Sequence, residues 1–96
     1  MSQTIIDAIT NREVLTFTYD GFPRTVEPHT YGITTAGHKA VRAYQTGGRS
    51  STGTLGWKMF LVSGIHGLTK SGATFASARP GYKQGDSGMS KILAQL

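Results

Sequence analysis

The order of apolar and polar positions along the chain predicts one helix followed by five short strands. Ile5 and Ile9 lie four residues apart, Ile6 flanks them and Ala8 favours helix, so Ser2 to Arg12 is expected to be helical, with its body over about residues 3–12. Thr4 and Asp7 have the T-x-x-D spacing of a capping box. So short a helix is not stable alone, and it is expected to plug one end of a sheet. Residues 14–19, Val14-Leu15-Thr16-Phe17-Thr18-Tyr19, alternate strictly and place Leu15, Phe17 and Tyr19 on one face of a strand. Asp20-Gly21 is a hairpin-turn signal. The returning strand, 24–33, opens with Arg24-Thr25-Val26-Glu27, and Pro28 marks an edge or a bulge because it cannot donate to a ladder. A turn on Thr35, Ala36 and Gly37 leads into strand 39–45, where Val41 and Ala43 alternate with Arg42 and Tyr44. Gly47 to Gly56 is a loop by composition.

Strand 57–62 begins at Trp57, a bend falls at Ser63-Gly64, and 65–76 continues the apolar pattern through Phe75. In the tail, 79–96, Arg79-Pro80-Gly81-Tyr82 opens a loop to Gly88. Met89, Ile92, Leu93 and Leu96 then recur at helical spacing, giving either a short docked helix or an added strand. The expected fold is mainly β: a small half-open barrel of the Sm or SH3 type, about five antiparallel strands with a short N-terminal helix, in one domain over 1–96. A chain of this size buries roughly 60–65% of its unfolded surface, which suffices for such a barrel.

Charge sharpens this picture. Ten Lys and Arg against five Asp and Glu leave a formal charge of +5. Asp7, Glu13, Asp20 and Glu27 all precede Pro28, and the next carboxylate is Asp86. Between them lie Lys39, Arg42, Arg49, Lys58, Lys70, Arg79 and Lys83. A surface of one sign attracts anions, so nucleic acid, nucleotides or an acidic protein are the expected partners; the alternative is scattered solubilising charge. The chain has no Cys, which excludes disulfides and thiolate metal sites. Met1 to Thr10 lacks the basic start and apolar run of a signal peptide, and no segment approaches a membrane span. A soluble cytoplasmic protein with no membrane partner is expected.

Candidate chemistry concentrates on strand 39–45. Arg42 can pair with phosphate and Tyr44 can stack on a base, a combination suited to single-stranded nucleic acid. Lys39 would extend the patch. The plain alternative is a solvated Arg beside a half-buried Tyr. Gly47-Gly48-Arg49-Ser50-Ser51 has amides, hydroxyls and a guanidinium suited to an anion, or is a flexible hairpin loop; without a Lys-Ser/Thr ending it is no P-loop. Arg79-Pro80-Gly81-Tyr82-Lys83 either clamps a ligand or pins the tail to the barrel. Trp57 is a core or rim anchor, or a stacking platform. His29, His38 and His66 lack ligand spacing, so no metal is expected, and no cofactor. With no G-x-S-x-G and no convergent catalytic set, catalysis is not expected either.

The order of the helix, Leu15-Thr16-Phe17-Thr18-Tyr19, Arg24-Thr25-Val26-Glu27-Pro28-His29 and Val41-Arg42-Ala43-Tyr44 resembles the WYL domain family. Trp57-Lys58-Met59-Phe60 followed by Ile65 is similar to that family's later strand, which ends in a basic residue and an isoleucine. The resemblance covers roughly residues 5 to 66. It implies an Sm-like barrel that senses a nucleic acid or nucleotide in bacterial transcription regulation or phage defence, with Arg42 in the corresponding strand and His29 after the Glu-Pro pair; Lys58 is a further candidate ligand contact. The name-giving Trp-Tyr-Leu falls on Lys39-Ala40-Val41, and Gly64 stands where the later basic residue is expected. Residues 1–13 cannot supply a helix-turn-helix, so duplex reading by a recognition helix is not expected. A second function class is a protein-interaction subunit, dimerising through the barrel's open edge or through an apolar tail at 89–96 that is costly to expose.

Overall fold

Alternation at Leu15, Phe17 and Tyr19 is realised as strand β1 (Glu13–Tyr19), whose apolar face is buried, in a computed structural model that describes residues 2–96. Helix α1 (Ser2–Asn11) precedes it and inserts Ile5, Ala8 and Ile9 into the core. Thr4 lies inside α1, so the expected capping box does not form; Gln3 Nε2 instead donates to Asp7 Oδ1 at 2.8 Å. After β1 come β2 (Phe22–Thr34), β3 (Lys39–Gly48), β4 (Gly56–Leu61), a 3-10 turn (Val62–Gly64), β5 (His66–Thr74) and β6 (Met89–Gln95). All pairings are antiparallel, and the fold is mainly β, consistent with the expected half-open barrel.

The β1–β2 hairpin turns on Asp20 (φ 53°) and Gly21 (φ 77°). Two consecutive left-handed residues are what a type I′ turn requires. The β2–β3 turn uses Gly37 at φ 87°, with Gly37 N–H donating to Thr34 O at 2.9 Å.

β2 organises the sheet. Along one edge it pairs with β3 from Arg24↔Gly48 to Ile33↔Lys39. Along the other, β1 takes the first stretch, from Tyr19↔Phe22 to Leu15↔Val26, and β6 takes the last, from Thr30↔Gln95 to Thr34↔Met89. Pro28 carries no N–H to donate, and the β2–β3 register shifts between Pro28 and Thr30. His29 is the extra residue of that bulge.

The strand order is β4-β3-β2-β1-β5, so β4 and β5 lie at its two ends, while β6 pairs with β2 off this path. Phe17 and Tyr19 each meet Phe60 edge-on at 5.0 Å, closing the core against Leu15, Val26, Tyr31, Val41 and Ile65. Each such side chain contributes about 1.5–3 kcal/mol by leaving water.

The tail is a strand, not a helix. Met89 is buried, Ile92, Ala94 and Leu96 are half-buried, and Leu93 stays 39% exposed. The apolar tail is therefore largely covered by its own chain, and the cost of exposing it does not arise. Among the described residues no helix is long and apolar enough to cross a membrane.

Candidate functional site

Strand pairing sorts the candidate side chains by face. Opposite one another on β3 and β4 stand Arg42 and Met59, and Tyr44 and Trp57; Glu27 of β2 faces Tyr44 from the other side. These side chains share the outer face of the sheet, because directly paired residues project the same way. Lys58 instead pairs with Ala43, and Lys39 lies two residues from Val41, so both belong with the core-facing row at its rim. Lys39 therefore does not extend the Arg42–Tyr44 patch. Lys58 Nζ donates to the hydroxyls of Thr52 and Thr54, both at 3.4 Å.

The outer face is roofed by the segment Phe75–Gly88, which has no strand or helix of its own. Several contacts tie it to this face. Arg79 makes a two-pronged ion pair with the buried Glu27 carboxylate, Nε to Oε1 at 2.7 Å and Nη2 to Oε2 at 2.9 Å. Its guanidinium also sits 4.8 Å from the centroid of Tyr44. Arg79 N–H donates to His29 Nε2 at 3.0 Å. Trp57 Nε1 donates to Pro80 O at 3.0 Å, and Arg42 Nε donates to Asp86 Oδ2 at 2.7 Å.

His29 lies at the centre of this roofing contact and is fully buried. The ring packs against Trp57 (4.7 Å), Tyr82 (5.2 Å) and Phe75 (5.6 Å). Because Nε2 accepts from Arg79, Nδ1 carries the proton and donates to Glu27 O at 2.8 Å. Burial lowers its pKa below the ordinary value, partly opposed by the Glu27 carbonyl and carboxylate. The Glu27 hydrogen bond raises the Arg79 pKa further. Arg42 holds the Asp86 carboxyl below its usual range, and Gly88 N–H, donating at 2.8 Å, adds to this.

Between the roof and the sheet lies a pocket of ≈ 450 Å³ lined by Arg42, Trp57 and residues 81–87, among them Tyr82, Lys83 and Asp86. The structure thus brings Arg42 together with Tyr82 and Lys83, from two separate sequence stretches, while Tyr44, His29 and Arg79 form the layer behind them. Trp57 and Tyr82 lie nearly parallel, at 22° and 6.3 Å between centroids. Arg49 is elsewhere, exposed beside a ≈ 360 Å³ hollow with Phe22, Gly48, Ser50 and Leu55.

The uninterrupted run of basic residues does not become an uninterrupted basic surface. Arg42, Lys70 and Arg79 pair with Asp86, Glu13 and Glu27, all from outside the run. Sequence reasoning missed Asp86 as the partner of Arg42 and Glu27 as that of Arg79. Asp86 left one signal: it is the sole carboxylate after Glu27, set between Gly85 and Gly88. Of the two roles weighed for Arg79–Lys83, pinning the tail is seen in Tyr82, whose hydroxyl donates to Leu96 O at 3.0 Å; the same residue lines the pocket. Comparison with family models, curated proteins and solved structures found no match to the chain.

Proposed function

We propose that this domain is a non-enzymatic binding module for single-stranded nucleic acid or a nucleotide-type anion, received in the pocket between the β3–β4 face and the 79–88 segment. The observation that carries this reading is the convergence of Arg42 and Lys83 with Trp57 and Tyr82 around one ≈ 450 Å³ space. Guanidinium and ammonium neutralise phosphate, and flat rings accept a base on either face. The volume is that of a small-ligand site. The sequence resemblance to WYL domains supports the same ligand class and a role in bacterial or phage regulation or defence.

The test is fluorescence-anisotropy titration with short single-stranded RNA, single-stranded DNA and duplex DNA at several salt concentrations. Single strands should bind more tightly than duplex. Two phosphate-facing cations give a log–log salt slope of about −1.4 for a single strand. A much steeper slope, equal for all three probes, would mean that bulk positive charge and not the pocket is responsible.

A second reading is assembly through the sheet's ends, favoured by β4 and β5, which terminate the strand order. A strand edge without a neighbour offers its backbone to another chain. Sedimentation over a wide concentration range should then show a dimer, and a monomer throughout would end this reading. Deleting 89–96 is a poor test, because it removes a strand paired with β2.

A further inference from the structure

The ion pair at the mouth of the pocket says more about the ligand. Arg42 offers a fork to Asp86, Nε to Oδ2 at 2.7 Å and Nη2 to Oδ1 at 3.4 Å, and the carboxylate also accepts Gly88 N–H at 2.8 Å. The Asp86 side chain is only 10% exposed, while Arg42 is 32% exposed. Both residues line the pocket, as does Lys83, which makes no ion pair among the described residues. The most favourable anion position in the pocket is therefore already filled, by a carboxylate of the chain itself.

We propose, resting on the function proposed above, that Asp86 occupies the ligand's anion subsite and is exchanged for a terminal phosphate monoester carried on a flat heterocycle. The argument is one of charge. A phosphodiester in a strand carries one negative charge, the same as the carboxylate it would displace, so the exchange gains little. A phosphate monoester carries about −1.5 to −2 at neutral pH and presents three acceptor oxygens. Arg42 takes the charge that Asp86 gives up, and Lys83 takes the surplus.

The aromatic walls fit the remainder of such a molecule. Trp57 and Tyr82 are nearly parallel, and each is fixed by its own polar tip, to Pro80 O and to Leu96 O. The pocket, ≈ 450 Å³, has room for one nucleotide, not for a run of them. Displacing Asp86 also removes one of the contacts holding the 79–88 segment, so the ligand unlatches the segment it enters beneath. Two sources share this chemistry: a free mononucleotide and the phosphorylated end of a strand.

Trp57 is the sole Trp and lines the pocket, so its fluorescence reports occupancy directly. The full chain and its Asp86→Asn and Lys83→Met variants are titrated with adenosine, adenosine monophosphate, and a short oligoadenylate with and without a 5′-phosphate. Each phosphomonoester probe that binds should do so at least about tenfold more tightly than its unphosphorylated counterpart. Asp86→Asn should tighten phosphomonoester binding about tenfold and leave adenosine unchanged, while Lys83→Met should shrink the preference for phosphate. Binding of the mononucleotide alone identifies the free nucleotide as the source; equal binding of the phosphorylated strand identifies its end. If both strand forms bind, and with equal affinity, the monoester assignment is overturned and a nucleic-acid module is left standing. Asp86→Asn that folds, by its melting curve, yet binds no better overturns the exchange. No response to any probe, in any of the three proteins, removes both this proposal and the function on which it rests.

Discussion

Protonation of His29 would break the bond by which the ring anchors the 79–88 segment, since a protonated Nε2 cannot accept from Arg79 N–H. Glu27 and Arg79 are the charged groups that face the ring, the one favouring and the other opposing protonation, and burial outweighs both. With the folded pKa below the unfolded value near 6.5, the unfolded chain binds the proton more tightly. The stabilisation is therefore complete above about pH 6.5 and is lost as pH falls below it, toward the lower folded value. Asp86 behaves in the same sense but begins its loss only below the ordinary carboxylate value near 3.8. The melting temperature is expected to fall from about pH 7 to about pH 5 in the parent protein. His29→Gln should melt lower at the upper pH but show a flatter dependence, measured by circular dichroism, and parallel curves would count against this role. Arg24 makes a different kind of contribution. It is 5% exposed, its guanidinium donates to Tyr19 O at 3.1 Å and Gln45 Oε1 at 3.2 Å, and it lies within 5.7 Å of the Tyr19, Phe22 and Phe60 ring centroids. Lys cannot reproduce that fork or its planar stacking, so Arg24→Lys is expected to cost about 1–3 kcal/mol in urea unfolding.

β6 depends on a backbone approach that only glycine permits. A Cβ at Gly32 would run into Lys91 O, a backbone atom of β6, and lie 2.9 Å from Met89 Sδ. Gly32→Ala should therefore loosen β6 from β2, costing about 1–3 kcal/mol and accelerating hydrogen exchange at the β6 amides. Unchanged exchange there would show that the strand can shift without loss. β6 was also the element least legible from sequence, because Met89, Ile92, Leu93 and Leu96 fit a helical period as well as they fit a strand. What decided the matter was a vacant edge of β2, which local pattern does not contain. β1 was readable for the opposite reason: strict alternation at Leu15, Phe17 and Tyr19 and an Asp20-Gly21 turn point the same way. Pro28 was readable as an edge or a bulge, and the structure makes it a bulge; that the bulge turns His29 into an aromatic cluster was not readable. The Arg42–Asp86 and Glu27–Arg79 pairs join residues 44 and 52 positions apart, so no window of sequence could show them. The face carrying Arg42 and Tyr44 was visible from alternation, whereas its roof was not.

At the scale of the molecule, the sheet supplies a floor and the Phe75–Gly88 segment a roof without strands of its own, held by side-chain hydrogen bonds, ion pairs and the packing of Phe75 and Tyr82 on His29. Local stability is expected to follow that division, with the roof opening more readily than β1, β2 and β3, whose backbones are paired on both sides. The formal charge of +5 is thus less informative than its arrangement, since three of the basic residues are committed to ion pairs. On the proposed function, the groups offered to a ligand are Lys83, Arg42 once Asp86 is displaced, and the Trp57 and Tyr82 rings, all on one pocket. The most direct test is a two-dimensional amide and indole NMR titration of the full chain with a short 5′-phosphorylated single strand. Shifts confined to the Trp57 indole, the 81–88 amides and the Arg42 side chain are the expected result. Shifts centred on Arg49 and Leu55, or spread thinly over every basic residue, would contradict the account.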